Sequence, residues 1–300
     1  MSGDLHYKAG FVSIAGLPNA GKSTLINSFC QAHIAAVSPK PQTTRYHLKG
    51  IKTTENYQIV FIDTPGFIKP KTALEKIMKM ETIKAVKEDA DIILLLVEPN
   101  LKEIAEKKDF FASIAKLNKK TIIAINKIDL YKKEEIKDSI SILKSIYDTD
   151  NIIEISALKK TNIKELEYLI ISNLPFSPPY YYEDILSDRW ERYFASEIIR
   201  EEIFLKYKDE IPYSTAVSIE TFKEDIQPIY IFANIYVSKK SHKPIIIGEN
   251  GRAIKKLRED SEKKIESFLN KKAKLELFVK VRENWTDDPV FINMLTKDYK

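Results

Sequence analysis

The chain has 300 residues, 48 lysines and arginines against 43 aspartates and glutamates, and a formal net charge of +5. Hydrophobic residues make up 44% and charged residues 30%. That balance excludes a disordered chain, and the length suits about two domains of roughly 150 residues each. The longest apolar run, IILLLV at Ile92–Val97, falls far short of the roughly 20 residues that span a bilayer. The single cysteine, Cys30, rules out an internal disulfide. With no secretion-type pattern in MSGDLHYKAGFVSIAG, a reducing cytosol is the expected compartment.

From Phe11 to about Leu174, short β-branched runs alternate with stretches of helical period. FVSIAG, YQIVFID, DIILLLV, KTIIAIN and NIIEIS read as strands, and TALEKIMKMETIKAVKED and EIAEKKDFFASIAKL read as helices. Near-continuous apolar strands alternating with helices predict a mostly parallel sheet covered on both faces. The first strand runs into GLPNAGKST. Gly16, Leu17, Pro18, Asn19, Ala20, Gly21, Lys22 and Ser23 match G-x-x-x-x-G-K-[ST] between a predicted strand and a predicted helix, with Thr24 next in the same turn. Glycine is scarce here, 8 in 300, so two at this spacing mark close backbone approach to a ligand. Backbone N–H groups and the helix N-terminus converge on phosphate. Lys22 is expected to reach the outer phosphates and Ser23 to ligate Mg²⁺.

PKPQTTRYHLKG reads as a polar loop. Thr43 or Thr44 is expected to ligate Mg²⁺ in the triphosphate state, with Thr44 favoured, and Arg45 reads as structural. Asp63-Thr64-Pro65-Gly66 ends a strand: Asp63 would hold Mg²⁺ through water and the Gly66 N–H would sense the γ-phosphate. Asn126-Lys127-Ile128-Asp129 ends another. The Asp129 carboxylate pairs with guanine N1–H and its exocyclic amine, a donor pair that adenine lacks, and an unpaired carboxylate would reject ATP strongly. Lys127 covers the ring, Asn126 ties loops together, and in Ser156-Ala157-Leu158 the Ala157 N–H donates to guanine O6. The order of these motifs is that of a GTPase. In Ras-like GTPases a glutamine after Asp-x-x-Gly orients the attacking water. Phe67 stands there, so slow intrinsic turnover is expected, and a non-catalytic GTP switch is the rival from another class.

Pro175, Pro178 and Pro179 break the chain at NLPFSPPYYYEDILSD. DRWERYFASEIIREEIFLKY then reads as a helix, and STAVSIETFKED and IYIFANIYVSKK as an antiparallel pair. A short helix, a long helix from RAIKKL and the strand AKLELFVKVREN follow. Between the helices lies Ile247-Gly248-Glu249-Asn250-Gly251-Arg252. G-x-x-G in this order is the signature of a prokaryotic KH module, in which the tight turn meets the phosphates of about four nucleotides of single-stranded RNA. Ile245 to Ile247 and the next helix would floor a groove, and Arg252, Lys255 and Lys256 would add charge. Glu249 beside a phosphate is unfavourable unless it points away. The divisions expected are 1–174 for an α/β P-loop GTPase domain, 175–187 for a Pro/Tyr-rich linker, and 188–300 for an α+β type II KH domain with a tail. The histidines His6, His33, His47 and His242 show no metal-ligand spacing.

Together with QTTR, DTPGF, EIPYSTAV, GENGR and LFVKVRENW, these motifs resemble the Era family of bacterial GTPases over essentially the whole chain. The resemblance implies GTP hydrolysis, binding to the 3′ end of small-subunit (16S) ribosomal RNA, and a role in 30S subunit assembly. It also implies partial peripheral association with the inner face of the membrane, ranked second to the cytoplasm; a monomer is expected. In related GTPases with a hydrophobic residue in place of glutamine, an asparagine at the position of Asn19 helps bind K⁺, and Asn19 is assigned that catalytic role with Lys22, Thr44 and Gly66. A tRNA-modification GTPase shares this asparagine and the TTR stretch, but its C-terminal cysteine motif has no counterpart in LTKDYK.

Overall fold

The structure, a computed structural model, describes residues 6–41, 43–45, 47–65 and 70–297. Gln42, Gly66 and Phe67, named above, lie outside the described residues. The chain forms two compact units. Among the described residues the first takes those up to Ala35, from Thr44 to Pro65, and Met78–Asp188; the second takes Ala36–Thr43, Pro70–Ile77 and the chain from Arg189 onward.

The first unit is built in the order β1 (Lys8–Gly16), α1 (Lys22–Cys30), β2 (Leu48–Thr53), β3 (Tyr57–Asp63), α2 (Ala73–Lys84), β4 (Ile92–Val97), α3 (Leu101–Glu106), α4 (Lys108–Ala115), β5 (Thr121–Ile125), α5 (Lys133–Lys144), β6 (Ile152–Glu154) and α6 (Ile163–Asn173). The early residues of α2 belong to the second unit. The strands form one sheet in the order β2-β3-β1-β4-β5-β6, parallel except for β2 against β3. Every residue of β4 is buried, as expected of a central strand covered on both faces. Strand β2 corrects the sequence reading, which ended a polar loop at Gly50. The segment is only half apolar because it lies on the edge. Gly50 is required there, since a Cβ would stand 2.8 Å from both Ile26 and Ile34. The second helical stretch also divides, at Lys107, into α3 and α4.

Helix α6 stops at Asn173, and Leu174 is extended before Pro175, where the proline ring disfavours helical backbone in its predecessor. The proline- and tyrosine-rich segment then runs along the first unit. The buried Gln58 side chain accepts from the Tyr180 and Tyr181 N–H groups at 2.7 and 3.0 Å and donates to the Tyr181 carbonyl at 2.8 Å. Tyr180 lies against Phe11, with ring centroids 4.7 Å apart.

The second unit follows the expected order through α7 (Glu191–Lys206), β7 (Thr215–Lys223), β8 (Ile229–Val237), α8 (His242–Ile247), α9 (Arg252–Leu269) and β9 (Ala273–Val281), and adds a helix where only a tail was expected, α10 (Pro289–Lys297). Strand β8 is central, antiparallel to β7 and parallel to β9. Leu257, Ser261, Ile265 and Leu269, four residues apart, form the buried stripe of α9. Leu257, Ile265 and Leu269 pack with Ile199 and Ile203 of α7 over Ile231, Ile235, Leu275 and Val279 of the sheet. Burying each large side chain contributes about 1.5–3 kcal/mol. Buried Glu201 and Glu202 of α7 are answered by Lys264 of α9 at 2.9 and 2.6 Å. His242, expected to serve packing or the surface, is buried with Nδ1 3.0 Å from Ser214 Oγ.

Candidate functional site

The phosphate loop joins β1 to α1. Gly16 pairs with Leu96 of β4, and a Cβ at Gly16 would lie 2.6 Å from the Leu96 carbonyl oxygen. Asn19 has φ 63° and Gly21 φ 97°, so the loop turns twice through the left-handed region. A Cβ at Gly21 would lie 2.3 Å from Asn126 Nδ2. Among the described residues helix α1 has no side-chain cap, which leaves its first N–H groups for an anion. Lys22 opens this helix and is buried. Its ammonium donates to the carbonyls of Gly16 and Leu17 at 3.3 and 3.0 Å. Burial lowers its pKa to about 8, against the pull of the Asp63 carboxylate. Leu17 and Ala20 are buried, whereas Pro18 and Thr24 are half-buried and Asn19 exposed.

Ser23, Thr44 and Asp63 come together. Ser23 Oγ is 2.9 Å from Thr44 Oγ1, and the two hydroxyls donate to Asp63 Oδ2 at 3.0 and 3.2 Å. Asp63 is fully buried, and Oδ1 has no hydrogen-bond partner among the described residues. Burial raises its pKa, while Lys22, Ser23, Thr44 and His47 act in the opposite direction. A buried carboxylate with an unpaired oxygen beside two hydroxyls fits a hard, oxygen-seeking dication. Thr43 is not part of this cluster: its hydroxyl donates to the Lys40 carbonyl at 2.9 Å and lies 2.6 Å from Ser38 Oγ. Thr64 is buried and donates to the Ile14 carbonyl at 2.8 Å, and the Pro65 carbonyl accepts from Thr82 at 3.1 Å. These two contacts hold the end of β3.

The residues expected to recognise the base lie at the ends of β5 and β6. Asn126 is buried; Nδ2 donates to the Ala20 carbonyl at 2.7 Å and Oδ1 accepts from the Ala157 N–H at 2.9 Å. The Ala157 N–H assigned to guanine O6 is thus engaged by Asn126. Lys127 has φ 65° and forms an ion pair with Glu98. Asp129 is exposed at the mouth. Ser156 is buried and its Oγ accepts from the Lys159 N–H at 3.1 Å, while Leu158 is exposed. Glu98 was missed: it follows β4 and also accepts from the Tyr131 hydroxyl at 2.6 Å. A glutamate directly after the fully apolar run IILLLV was the available signal, because the carboxyl end of a central strand is where ligands bind.

The second glycine loop joins α8 to α9. Gly248 has φ 74°, Asn250 φ 49° and Gly251 φ 75°. The Gly251 N–H donates to the Gly248 carbonyl at 3.2 Å. A Cβ at Gly248 would stand 2.5 Å from that of Ala253, whereas one at Gly251 would meet open space. Glu249 and Asn250 are exposed at the tip, as are Arg252 and Lys255. Lys256 differs, being paired with Asp260 at 2.9 Å. The expected apolar floor is corrected in part: Ile246 is in the core, Ile247 is half-buried and Ile245 is about half exposed. Successive helical residues diverge by roughly 100°, so three adjacent isoleucines cannot line one groove.

Among the described residues no group of three His, Cys, Asp or Glu side chains is placed to hold a metal, and no helix is long and apolar enough to cross a membrane. The geometry defines a class: a phosphate-loop GTPase joined to a KH module. Family models agree, one described as a 50S ribosome-binding GTPase over residues 11–127 and one as a KH domain over residues 210–286. The chain is 42% identical over 284 residues to GTPase Era of Elusimicrobium minutum, covering 94% of each chain. It is 40% identical over 291 residues to GTPase Era of Caldanaerobacter subterraneus, covering 96% of this chain and 97% of that one. A point variant of Era from Aquifex aeolicus bound to GDP and AlF4⁻ superposes with TM-score 0.89 at 34% identity, covering 96% and 98% of the two chains. Era in complex with MgGDPNP and nucleotides 1506–1542 of 16S ribosomal RNA superposes with TM-score 0.90 at 34% identity, covering 97% and 99%. The chain belongs to the GTPase Era family and is a GTP hydrolase.

Proposed function

We propose that this GTPase binds the 3′ end of small-subunit ribosomal RNA through its KH module and acts in assembly of the 30S subunit. The observation that carries the reading is the open glycine turn at Gly248–Gly251 with Arg252 and Lys255 exposed beside it, in a chain whose other unit has a phosphate loop. In KH modules such a turn clamps the phosphates of single-stranded RNA. The Era complex with 16S ribosomal RNA, alike over 97% of the chain, supports it. Residues 1–174 form the GTPase domain, 175–187 the linker and 188–300 the KH domain and tail.

In the nucleotide site Gly16 to Thr24 cradle the phosphates, and Lys22 leaves its carbonyl partners for the outer phosphate oxygens. Ser23, Thr44 and Asp63 would hold Mg²⁺, with Thr44 rather than Thr43 as the loop ligand. The dication supplies charge neutralisation on the phosphate oxygens. Asn126 ties the loops, Lys127 covers the base, and Asp129 selects guanine with Ser156, Ala157 and Leu158. The Gly66 N–H senses the γ-phosphate. Asn19 helps place K⁺ beside the phosphates, where fixed positive charge offsets transition-state charge. Phe67 cannot orient water, so intrinsic turnover is slow. GTP and RNA each tighten the other's binding, as linkage requires of any coupling. The chain acts as a cytoplasmic monomer. The exposed cations beside the glycine loop also suit an anionic bilayer, a second location that vesicle flotation would detect.

The test is GTP turnover in KCl against NaCl at matched ionic strength, with and without an oligonucleotide of the ribosomal RNA 3′ end. Stimulation by RNA that disappears in Arg252→Glu supports the reading, and a K⁺ preference that disappears in Asn19→Ala places the cation. RNA that neither binds nor stimulates overturns it.

A further inference from the structure

One face of the β7–β8–β9 sheet carries helices α7 and α9; the other carries rings and lysines. Along β8 the residues facing away from the core are Tyr230, Phe232, Asn234 and Tyr236, and along β9 they are Lys274, Glu276, Phe278 and Lys280. Phe278 is 52% exposed on the edge strand. A bare ring on a sheet edge is a liability that proteins remove, commonly with lysine. Here the ring is kept and a lysine is placed over it: Lys243 Nζ lies 5.7 Å from the Phe278 ring centroid. The pairing recurs, with Lys274 over Tyr230 at 5.9 Å and Lys280 over Tyr236 at 5.9 Å. At the Tyr236 end Phe291 of α10 closes the face, with centroids 4.9 Å apart.

The acidic groups of this face are engaged. Glu276 accepts from the Tyr230 hydroxyl at 2.9 Å and pairs with Lys274 at 3.4 Å, and Glu220 accepts from Asn234. Lys243 and Lys280 have no ion pair among the described residues. The face therefore offers flat rings with cations beside them, the combination on which nucleobases stack while phosphates are neutralised. It is also continuous with the glycine loop, because α8 packs against β9 and carries Lys243 at one end and Gly248 just past the other.

We propose that the outer face of this sheet, entered over the edge strand at Phe278, is a second platform for single-stranded RNA, extending the KH groove beyond the nucleotides held at Gly248–Gly251. The proposal rests on the RNA-binding reading above. Phe278 stacks a base, Lys243 meets the adjoining phosphate, and Tyr230 extends the platform along β8.

The experiment compares the full chain with two labelled oligonucleotides by fluorescence anisotropy: a decamer of the small-subunit ribosomal RNA 3′ end and a tetramer within it. Loss of one stacked base weakens binding by about tenfold or more. Phe278→Ala is expected to weaken the decamer about tenfold and the tetramer less than twofold. Phe278→Tyr should restore the decamer, and Phe278→Leu should not, because stacking needs a ring. Lys243→Glu should weaken the decamer and flatten its salt dependence. Unchanged decamer affinity in Phe278→Ala, with tetramer binding still lost in Arg252→Glu, overturns the platform and leaves the RNA reading standing. Equal loss on both oligomers would make Phe278 a prop of the glycine loop and overturn it too. Full rescue by Phe278→Leu would mark an apolar protein-docking face and overturn it as well. If the wild-type chain binds neither oligomer, the RNA reading itself fails.

Discussion

Asn126 Nδ2 donates to the carbonyl oxygen of Ala20 at 2.7 Å, so the loop after β5 holds the glycine loop between β1 and α1. The same side chain accepts from the Ala157 N–H at 2.9 Å. Asn126→Ala would leave two buried backbone groups unpaired, each costing about 1–3 kcal/mol. A lower melting temperature and release of a fluorescent GDP analogue accelerated about tenfold or more are expected. Unchanged release would mean that the loops are held by other contacts.

Asp129 is exposed at the mouth of the base site. In the proposed reading its carboxylate would accept from both the N1–H and the 2-amino group of guanine. An asparagine in its place would offer one acceptor and one donor, the match for xanthine with its 2-oxo group. Asp129→Asn should lower GTP affinity by about a hundredfold or more and raise that for xanthosine triphosphate. Competition binding with both triphosphates reads this directly, and parallel losses for the two would refute the pairing.

The two glycines of the KH loop should differ under the same substitution. Both have positive φ, so alanine at either costs about 1–3 kcal/mol in backbone strain. Gly248→Ala adds a clash, since its Cβ would lie 2.5 Å from that of Ala253, while Gly251→Ala meets nothing within 4 Å. Thermal unfolding should show the larger loss for Gly248→Ala. Equal losses would show that the loop relaxes to admit the methyl group.

Cys30 closes α1 and is 8% exposed. Burial pushes its pKa up from 9.0 to about 12, against the pull of Lys52. The folded state therefore retains a proton that the unfolded chain loses between pH 9 and about 12. This group's contribution to stability is fully present below about pH 9 and is lost as pH rises through that window. At neutral pH the thiol is protonated and shielded, so labelling with a maleimide should follow the unfolding equilibrium of the first unit. Fast labelling of the native chain would contradict the burial.

Much of both units was legible from local chemistry. The phosphate loop was readable because its glycines are scarce and fall between an apolar strand and a helix. The KH order was readable because a glycine pair falls between a short apolar helix and a long charged one, after two strands and before a third. What escaped was decided by neighbours distant in sequence. Strand β2 carries a glycine and lysines and gains strand character only by pairing with β3. The three isoleucines before Gly248 look equivalent until α8 turns Ile246 into the core and Ile245 toward solvent.

The sequence by itself determined which chemistry each loop offers, since the residue types and their spacing decide which donors and acceptors stand together. Tertiary structure alone decided which members of those motifs meet. Thr43 and Thr44 are adjacent and chemically identical, yet only Thr44 reaches Ser23 and Asp63. Lys255 and Lys256 are likewise adjacent, yet only Lys256 is drawn into an ion pair with Asp260. Glu98, Asp63 and Lys22 acquire their partners, and Asp63 and Lys22 their shifted protonation, from strands that pack them away from water. The physical reason is that spacing along the chain fixes which side chains can lie on one face. The direction in which that face points, and the dielectric around it, come from elements far away in sequence.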